Sequence, residues 1–318
     1  MSKVEIIDFF DSEVSRGVFY GGDAGAKESI IYENAIWMIK YPKITRDLTN
    51  LQISYTTSPL SEYIGSKIYS MLGLHTHEVL LGTRKNKIVV ACKDFIASEA
   101  TKQLTLIHFH YIKNSFMSTD IENYSGTGSE TLLDEVLATI AGEETLASVE
   151  GVSERFWDMF VIDAFIGNND RNNGNWGLIL NQVSGRFSLA PVYDNSNAFF
   201  NKRSLKNMEK RLNDHVAIKQ DAYQTIRCVY KYKGLDNESH SINPFEFIAN
   251  TKIERCKEAL ARFVSKVDMV KMVKIEGLIN EMPEHYEALS IMPNVQKEFY
   301  LKLLNIRLQK LQEISAEG

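Results

Sequence analysis

Cysteine is scarce: Cys92, Cys228 and Cys256 are the only three in 318 residues, and they lie far apart. An odd number without paired spacing argues against a disulfide scaffold and fits buried thiols in a reducing compartment. No run of about 18 apolar residues occurs, so nothing is expected to span a membrane. The N-terminus, MSKVEIIDFFDSEV, carries acids where a signal peptide carries its apolar run, so the default expectation is a cytoplasmic protein. An excess of one charge is missing too. Lys plus Arg number 36 against 41 Asp plus Glu, a net charge of −5. Such a chain is a poor candidate for binding nucleic acid by bulk charge. There are no internal repeats and no low-complexity tracts. What remains is 44% hydrophobic and 24% charged, an ordinary globular composition that excludes disordered and fibrous classes. The length is about twice that of a typical domain, which predicts two domains or two lobes around a cleft.

The first hundred residues read as strands around one helix. VEIIDFF and RGVFYG have the alternation and aromatic content of strands, and YGGDAGAK is a glycine-rich turn. SIIY and AIWMIKYP read as a hairpin with Glu33 and Asn34 at its tip. Residues 59–72 read as a helix, with Pro59 near its start and Gly73 beyond its end. EVLLGTRKNKIVVACKDF reads as another hairpin with a basic turn. Residues 113–130 are polar and read as a loop or insertion. TLLDEVLATIAG and SERFWDMFVIDAFIG then show helical spacing, followed by a strand pair, WGLILN and RFSLAPVYD. From about residue 205 the periodicity is helical almost to the end. The chain thus divides into a small β-rich part, residues 1–95, and a larger helical part, residues 96–318, with a cleft between them.

The informative stretch is FIGNNDRNNGNWGLIL, residues 165–180. Asparagine and glycine suit tight turns, so a helix-to-strand loop explains some of it. It does not explain an acid and an amide five residues apart, followed by a second acid in PVYDNSN. Asp170, Asn175 and Asp194 offer hard oxygen donors suited to Mg²⁺. The step from Asp170 to Asn175 matches the protein-kinase pattern H-R-D-x-x-x-x-N, and Asp194 stands where D-F-G has its metal-binding Asp. Phosphoryl transfer needs this inventory: a metal bridging the phosphates, a base at the attacking oxygen, and cations to absorb charge. A kinase also needs a strand lysine after a glycine-rich loop and a glutamate on the next helix. Lys40 and Glu62 stand in that order after YGGDAGAK. Each alone has a plainer reading: a turn, a surface lysine, or an acid in a helix's first turns.

WMIKYP, SEYIGSKIYSMLGL, FIGNNDRNNGNWGLIL and PVYD together resemble the HipA-like serine/threonine kinases, most closely the compact, CtkA-like members. The matched residues are Lys40; Glu62 and Tyr63; Ile166, Gly167, Asp170 and Asn175; Leu189, Pro191, Tyr193 and Asp194. The resemblance spans roughly residues 20–200. It implies an α+β, two-lobed atypical protein-kinase fold and transfer of the γ-phosphate of ATP, with Mg²⁺, to Ser or Thr hydroxyls, including autophosphorylation. It implies Asp170 as catalytic acid/base, Asn175 and Asp194 as metal ligands, and Lys40 on the ATP phosphates with Glu62 beside it. Gly22, Asp23, Ala24, Gly25, Ala26 and Lys27 would cover the phosphates. Lys93, Asp94 and Phe95 would hold adenine through backbone groups, with Asn172, Asn173 and Asn175 approaching the nucleotide from below. Longer members carry a His and a Lys in the catalytic loop. Here Arg171, Asn172 and Asn173 stand there, and Arg171 is a candidate for the missing positive charge. No serine opens the glycine-rich loop, and the N-terminal region of the longer members is missing, so an antitoxin partner is not supported. Non-classical export to a host cell stays open for a compact member.

Lys27 follows Ala26 and precedes Glu28, so the loop is not a Walker A motif. His75 with His77, and His108 with His110, lack further ligands at zinc spacing and read as structural. NKRSLKNMEKR reads as a solvated face or as a rim for an acidic substrate or nucleotide. An ATP-binding pseudokinase and a small-molecule phosphotransferase stay open beside the protein kinase. Retention of Lys40, Asp170, Asn175 and Asp194 together favours an enzyme.

Overall fold

The computed structural model describes residues 4–18, 20, 26–45, 54–97, 103–118, 126–267 and 269–317. Gly21, Gly22, Asp23, Ala24 and Gly25 lie outside the described residues.

Two hairpins form the centre of the N-terminal sheet. β3 (Lys27–Tyr32) and β4 (Ala35–Lys40) meet at Glu33 and Asn34, whose φ values of 48° and 60° suit a two-residue turn between twisted strands. β5 (Val79–Arg84) and β6 (Lys87–Lys93) turn in the same way at Lys85 and Asn86. Short strands β1 (Ile7–Asp8) and β2 (Glu13–Val14) complete a six-stranded sheet in the order β1-β5-β6-β4-β3-β2. Only β1 and β5 run parallel. Strand parity decides where Lys40 points. Trp37 and Ile39 join Phe9, Ile30, Val89 and Ala91 in a small core on one face. Met38, Lys40 and Cys92 therefore face the other way, into the cleft.

Helix α1 (Ser58–Met71) packs on that inner face. Ile64 and Ile68 turn into the main core, while Glu62, Ser66 and Tyr69 form a buried polar stripe at helical spacing. A three-stranded sheet follows: β7 (Leu104–His108), β8 (Gly177–Asn181) and β9 (Arg186–Leu189). The helices are α2 (Phe109–Met117), α3 (Leu133–Gly142), α4 (Glu144–Ala147), α5 (Val152–Ile166), α6 (Leu205–Leu212) and α7 (His215–Lys219). A single π-turn, Gln220–Gln224, continues α7. Then come β10 (Lys231–Lys233), β11 (Ser239–Ser241), α8 (Pro244–Asn250), α9 (Glu254–Lys266), α10 (Met269–Asn280), β12 (His285–Tyr286), β13 (Leu289–Ser290) and α11 (Asn294–Glu317). The main core runs from the inner sheet face through α1 and α5 to α11. Among the described residues, no helix is long and apolar enough to cross a membrane.

Several expectations need correction. Arg16 and Gly17 form a turn and Val18 lies outside the sheet, because the sheet ends beside them where Ser15 donates to the Ser29 carbonyl. Residues 113–117 are helical: Phe109, Ile112 and Phe116 share one face of α2, and the buried Lys113 ammonium meets Glu135 at 2.6 Å. β9 stops at Leu189 and does not reach Asp194, because Pro191 has no N–H to extend the ladder. The C-terminal part carries two small hairpins and the π-turn besides its helices.

Candidate active site

Helix α5 delivers the asparagine-rich loop. Gly167 ends the helix with φ 71°, a left-handed conformation that glycine adopts without strain. Within the loop, side chains alternate between scaffold and cleft. Asp163, near the end of α5, is buried and acts as the anchor. It receives Arg171 Nε at 2.9 Å, Asn168 Nδ2 at 3.0 Å and the Tyr69 hydroxyl at 2.8 Å. Arg171 also bonds the carbonyls of Asn175 and Tyr193 and the amide oxygen of Asn195. Its guanidinium is thus buried and committed to the loop's shape. It does not line the cleft itself, and its charge acts on Asp194 from behind the loop. Asn173 is fully buried and donates to the Gly128 and Glu130 carbonyls, so it pins the loop and does not approach a nucleotide.

Asp170 faces the cleft. Asn172 Nδ2 donates to its Oδ1 at 2.9 Å and Asn197 Nδ2 to its Oδ2 at 2.7 Å, so both oxygens are oriented. Asn175 Nδ2 donates to the Asp170 carbonyl at 2.7 Å, which leaves the amide oxygen as the atom it can offer to the cleft. Asp194 adopts φ 58°, a strained conformation that Asp tolerates better than most residues. Its Oδ1 takes Lys40 Nζ at 3.1 Å and Ser196 Oγ at 2.9 Å. Lys40 Nζ also meets Glu62 Oε2 at 2.8 Å. Burial opposes the charge on Lys40, yet Asp194 and Glu62 outweigh it and hold the ammonium above its ordinary pKa. Burial likewise opposes the charge on Glu62, and Lys40 and His77 outweigh it and hold the carboxyl below the usual range.

Lys40, Asp170, Asn172, Asn175 and Asp194 line one cleft of about 930 Å³. Lys27 lines it too; burial, with Lys40 nearby, lowers its pKa. Glu62 lies behind the lining and reaches it through Lys40 and His77, and Ala26 is exposed outside the lining. Lys93, Asp94 and Phe95 form one wall. The N–H groups of Lys93 and Asp94 already donate to the Glu78 and Ile36 carbonyls, so neither is available to a base. His108, read above as structural, has its ring in this wall with Nδ1 2.9 Å from the Tyr193 hydroxyl. The sequence did not point to Asn197. Its one signal was the second asparagine cluster, DNSNAFFN, directly after the metal-type acid.

The donor set fits a hard divalent cation: a carboxylate with Oδ2 left over at Asp194, an amide oxygen at Asn175, and no thiolate between them. No family model matches the chain. The serine/threonine-protein kinase CtkA of Helicobacter pylori is 32% identical over 309 residues, covering 97% of this chain and 87% of that protein. The crystal structure of a Helicobacter pylori proinflammatory kinase CtkA is similar with a TM-score of 0.83 and 31% identity, covering 98% of this chain and 97% of that one. HipA in a Shewanella oneidensis complex with HipB and operator DNA is similar with a TM-score of 0.52 over 95% of this chain and 69% of that one. At 12% identity, that likeness is one of fold.

Proposed function

The chain belongs to the HipA-like serine/threonine protein kinases, and on that premise we propose that it moves the γ-phosphate of ATP to Ser or Thr hydroxyls with Mg²⁺, its own hydroxyls included. Residues 1–95 would form the lobe over the nucleotide and residues 96–318 the lobe carrying the base and the metal ligands. The observation that carries this reading is the convergence of Lys40, Asp170, Asn175 and Asp194 on one cleft.

Asp194 Oδ2 and the Asn175 amide oxygen would hold Mg²⁺, which neutralises phosphate charge when bound. Lys40, fixed between Glu62 and Asp194, presents its ammonium to the phosphates. Asp170 takes the proton of the acceptor hydroxyl. The hydroxyl oxygen bonds to the γ-phosphorus as the bond from that phosphorus to the β,γ-bridging oxygen breaks. ADP leaves with that electron pair. Asn172 and Asn197 keep the Asp170 carboxylate oriented through this step.

The test is incubation with labelled Mg-ATP, read by mass spectrometry for phospho-Ser and phospho-Thr. Asp170→Ala should lower the rate by roughly 10²–10⁴ while nucleotide still binds, because only the base is lost. Unaltered phosphorylation in that variant would sink the assignment of the base. Absence of phosphate transfer in the unaltered protein would favour a binding module.

A further inference from the structure

His77 is buried beside the Lys40–Glu62 pair and has no part in the mechanism above. Its Nε2 lies 3.0 Å from Glu62 Oε1 and 3.1 Å from Ser66 Oγ. A carboxylate oxygen accepts only, so the proton is assigned to Nε2 and donated to Glu62. Glu62 therefore divides its two oxygens. Oε2 takes the Lys40 ammonium at 2.8 Å, and Oε1 takes His77 together with the Asn195 N–H at 3.1 Å. The backbone repeats the connection. The His77 N–H donates to the Val192 carbonyl at 3.1 Å, two residues before Asp194. His77 thus joins α1, the entry to β5 and the segment that delivers Asp194.

We infer that His77 is a positioning residue for phosphoryl transfer: its N–H fixes the Glu62 carboxylate so that Oε2 holds Lys40 between Glu62 and Asp194. The inference rests on the kinase mechanism above. A glutamate's terminal torsion is soft, so one bonded oxygen does not set the carboxylate plane. A bond to each oxygen does, and in a dry site each such bond is strong. Without the His77 donor, Oε1 keeps only the Asn195 N–H, the carboxylate is held less firmly, and Lys40 is drawn further toward Asp194, which blunts the acid that the metal needs.

A metal centre is the rival for these side chains, because ligand atoms of Glu62, His77 and Cys92 lie within 4.8 Å of one another. Both Glu62 oxygens are already bonded, however, so a metal ion there would have to break the Lys40 pair or the His77 bond. Burial also keeps the Cys92 thiol protonated by raising its pKa. The hydrogen-bond role needs none of these changes.

Three variants decide the matter: His77→Leu fills the space without a donor, His77→Gln supplies a donor of similar reach, and His77→Asn supplies one too short. Steady-state kinetics with casein as acceptor give kcat and KM for ATP. The rate at which an ATP-derived acyl phosphate labels Lys40, read by mass spectrometry, gives a second measure that needs no phosphate transfer. His77→Leu should lower kcat roughly 10- to 100-fold, the loss of one hydrogen bond to a charged group, with a smaller change in KM. Lys40 labelling should change with it. His77→Gln should return both to within about threefold of the original. If His77→Leu fails to fold, the contrast between Gln and Asn carries the same comparison. Unchanged kinetics and labelling in His77→Leu or His77→Asn would overturn the inference. So would a Gln variant as impaired as Leu that also loses bound zinc, which would favour the metal. If the unaltered protein transfers no phosphate, the mechanism fails, and the Lys40 labelling series still decides the role of His77.

Discussion

Lys40 illustrates how little a single residue reveals by itself. A strand-end lysine is usually solvated, yet here only 7% of it is exposed, and it is held by two acids from distant parts of the chain. Removing one member of a buried pair leaves the other charge uncompensated. Lys40→Ala should therefore destabilise the fold as well as stop catalysis. The expected loss is near the lower end of about 3–5 kcal/mol, because His77 and the Asn195 amide still bond Glu62. Denaturant titration checks this; a variant as stable as the original would mean that the pair contributes nothing net. Burial pushes the Cys228 and Cys256 thiols up to about 12, so both are poor nucleophiles at neutral pH.

Among the elements, α1 matters most, because it carries Glu62 and packs against both the sheet and the Asp194 segment. Gly65 permits the approach: a Cβ there would lie 2.8 Å from Asn195 Cβ. Gly65→Ala should push α1 outward, lengthen the contact of Glu62 with Asn195 and lower kcat, although alanine favours the helix itself. A variant with full activity and raised Tm would show that the contact yields. In the sheet, Glu28 on β3 binds Arg84 Nε at 2.9 Å, the Tyr41 hydroxyl at 2.8 Å and Lys85. Burial raises its pKa, but these partners prevail and push it down from 4.5 to about 2. A carboxyl lowered on folding stabilises the protein fully above pH 4.5, and that stability is lost as pH falls from 4.5 to about 2. Glu28→Gln should accordingly flatten the fall in Tm across that window, seen by circular dichroism melts at stepped pH.

At the scale of the whole molecule, the sheet and the helical part share one cleft, and nucleotide bound there would bridge both. Binding to the folded state alone raises stability by mass action, about 2.7 kcal/mol at a hundredfold excess over Kd. Mg-ATP should raise Tm clearly, and ATP with EDTA less. In Asp194→Ala the difference between the two should disappear, because the metal loses its carboxylate. A persistent magnesium effect in that variant would move the metal away from Asp194. Helix α11 closes this assembly from the far side. Its buried Arg307 donates to the Ala222 carbonyl in the π-turn and to the Phe165 carbonyl at the end of α5, so α11 braces the helix that leads into the asparagine loop without lining the cleft.

The sequence alone determined the order of the parts: the lysine hairpin, the glutamate helix, the Asp170-to-Asn175 step and Asp194. Those follow from local chemistry, since strand parity, helix periodicity and ligand type are written in neighbouring residues. It did not reveal which asparagines face the cleft. Asn173 and Arg171 read as site residues because they stand beside Asp170, and only the position of Asp163, Gly128 and Glu130 turns them inward. His77 and Asn197 became visible for the same reason. Their partners lie 15 and 27 residues away in the chain, at distances set by packing and not by any local pattern.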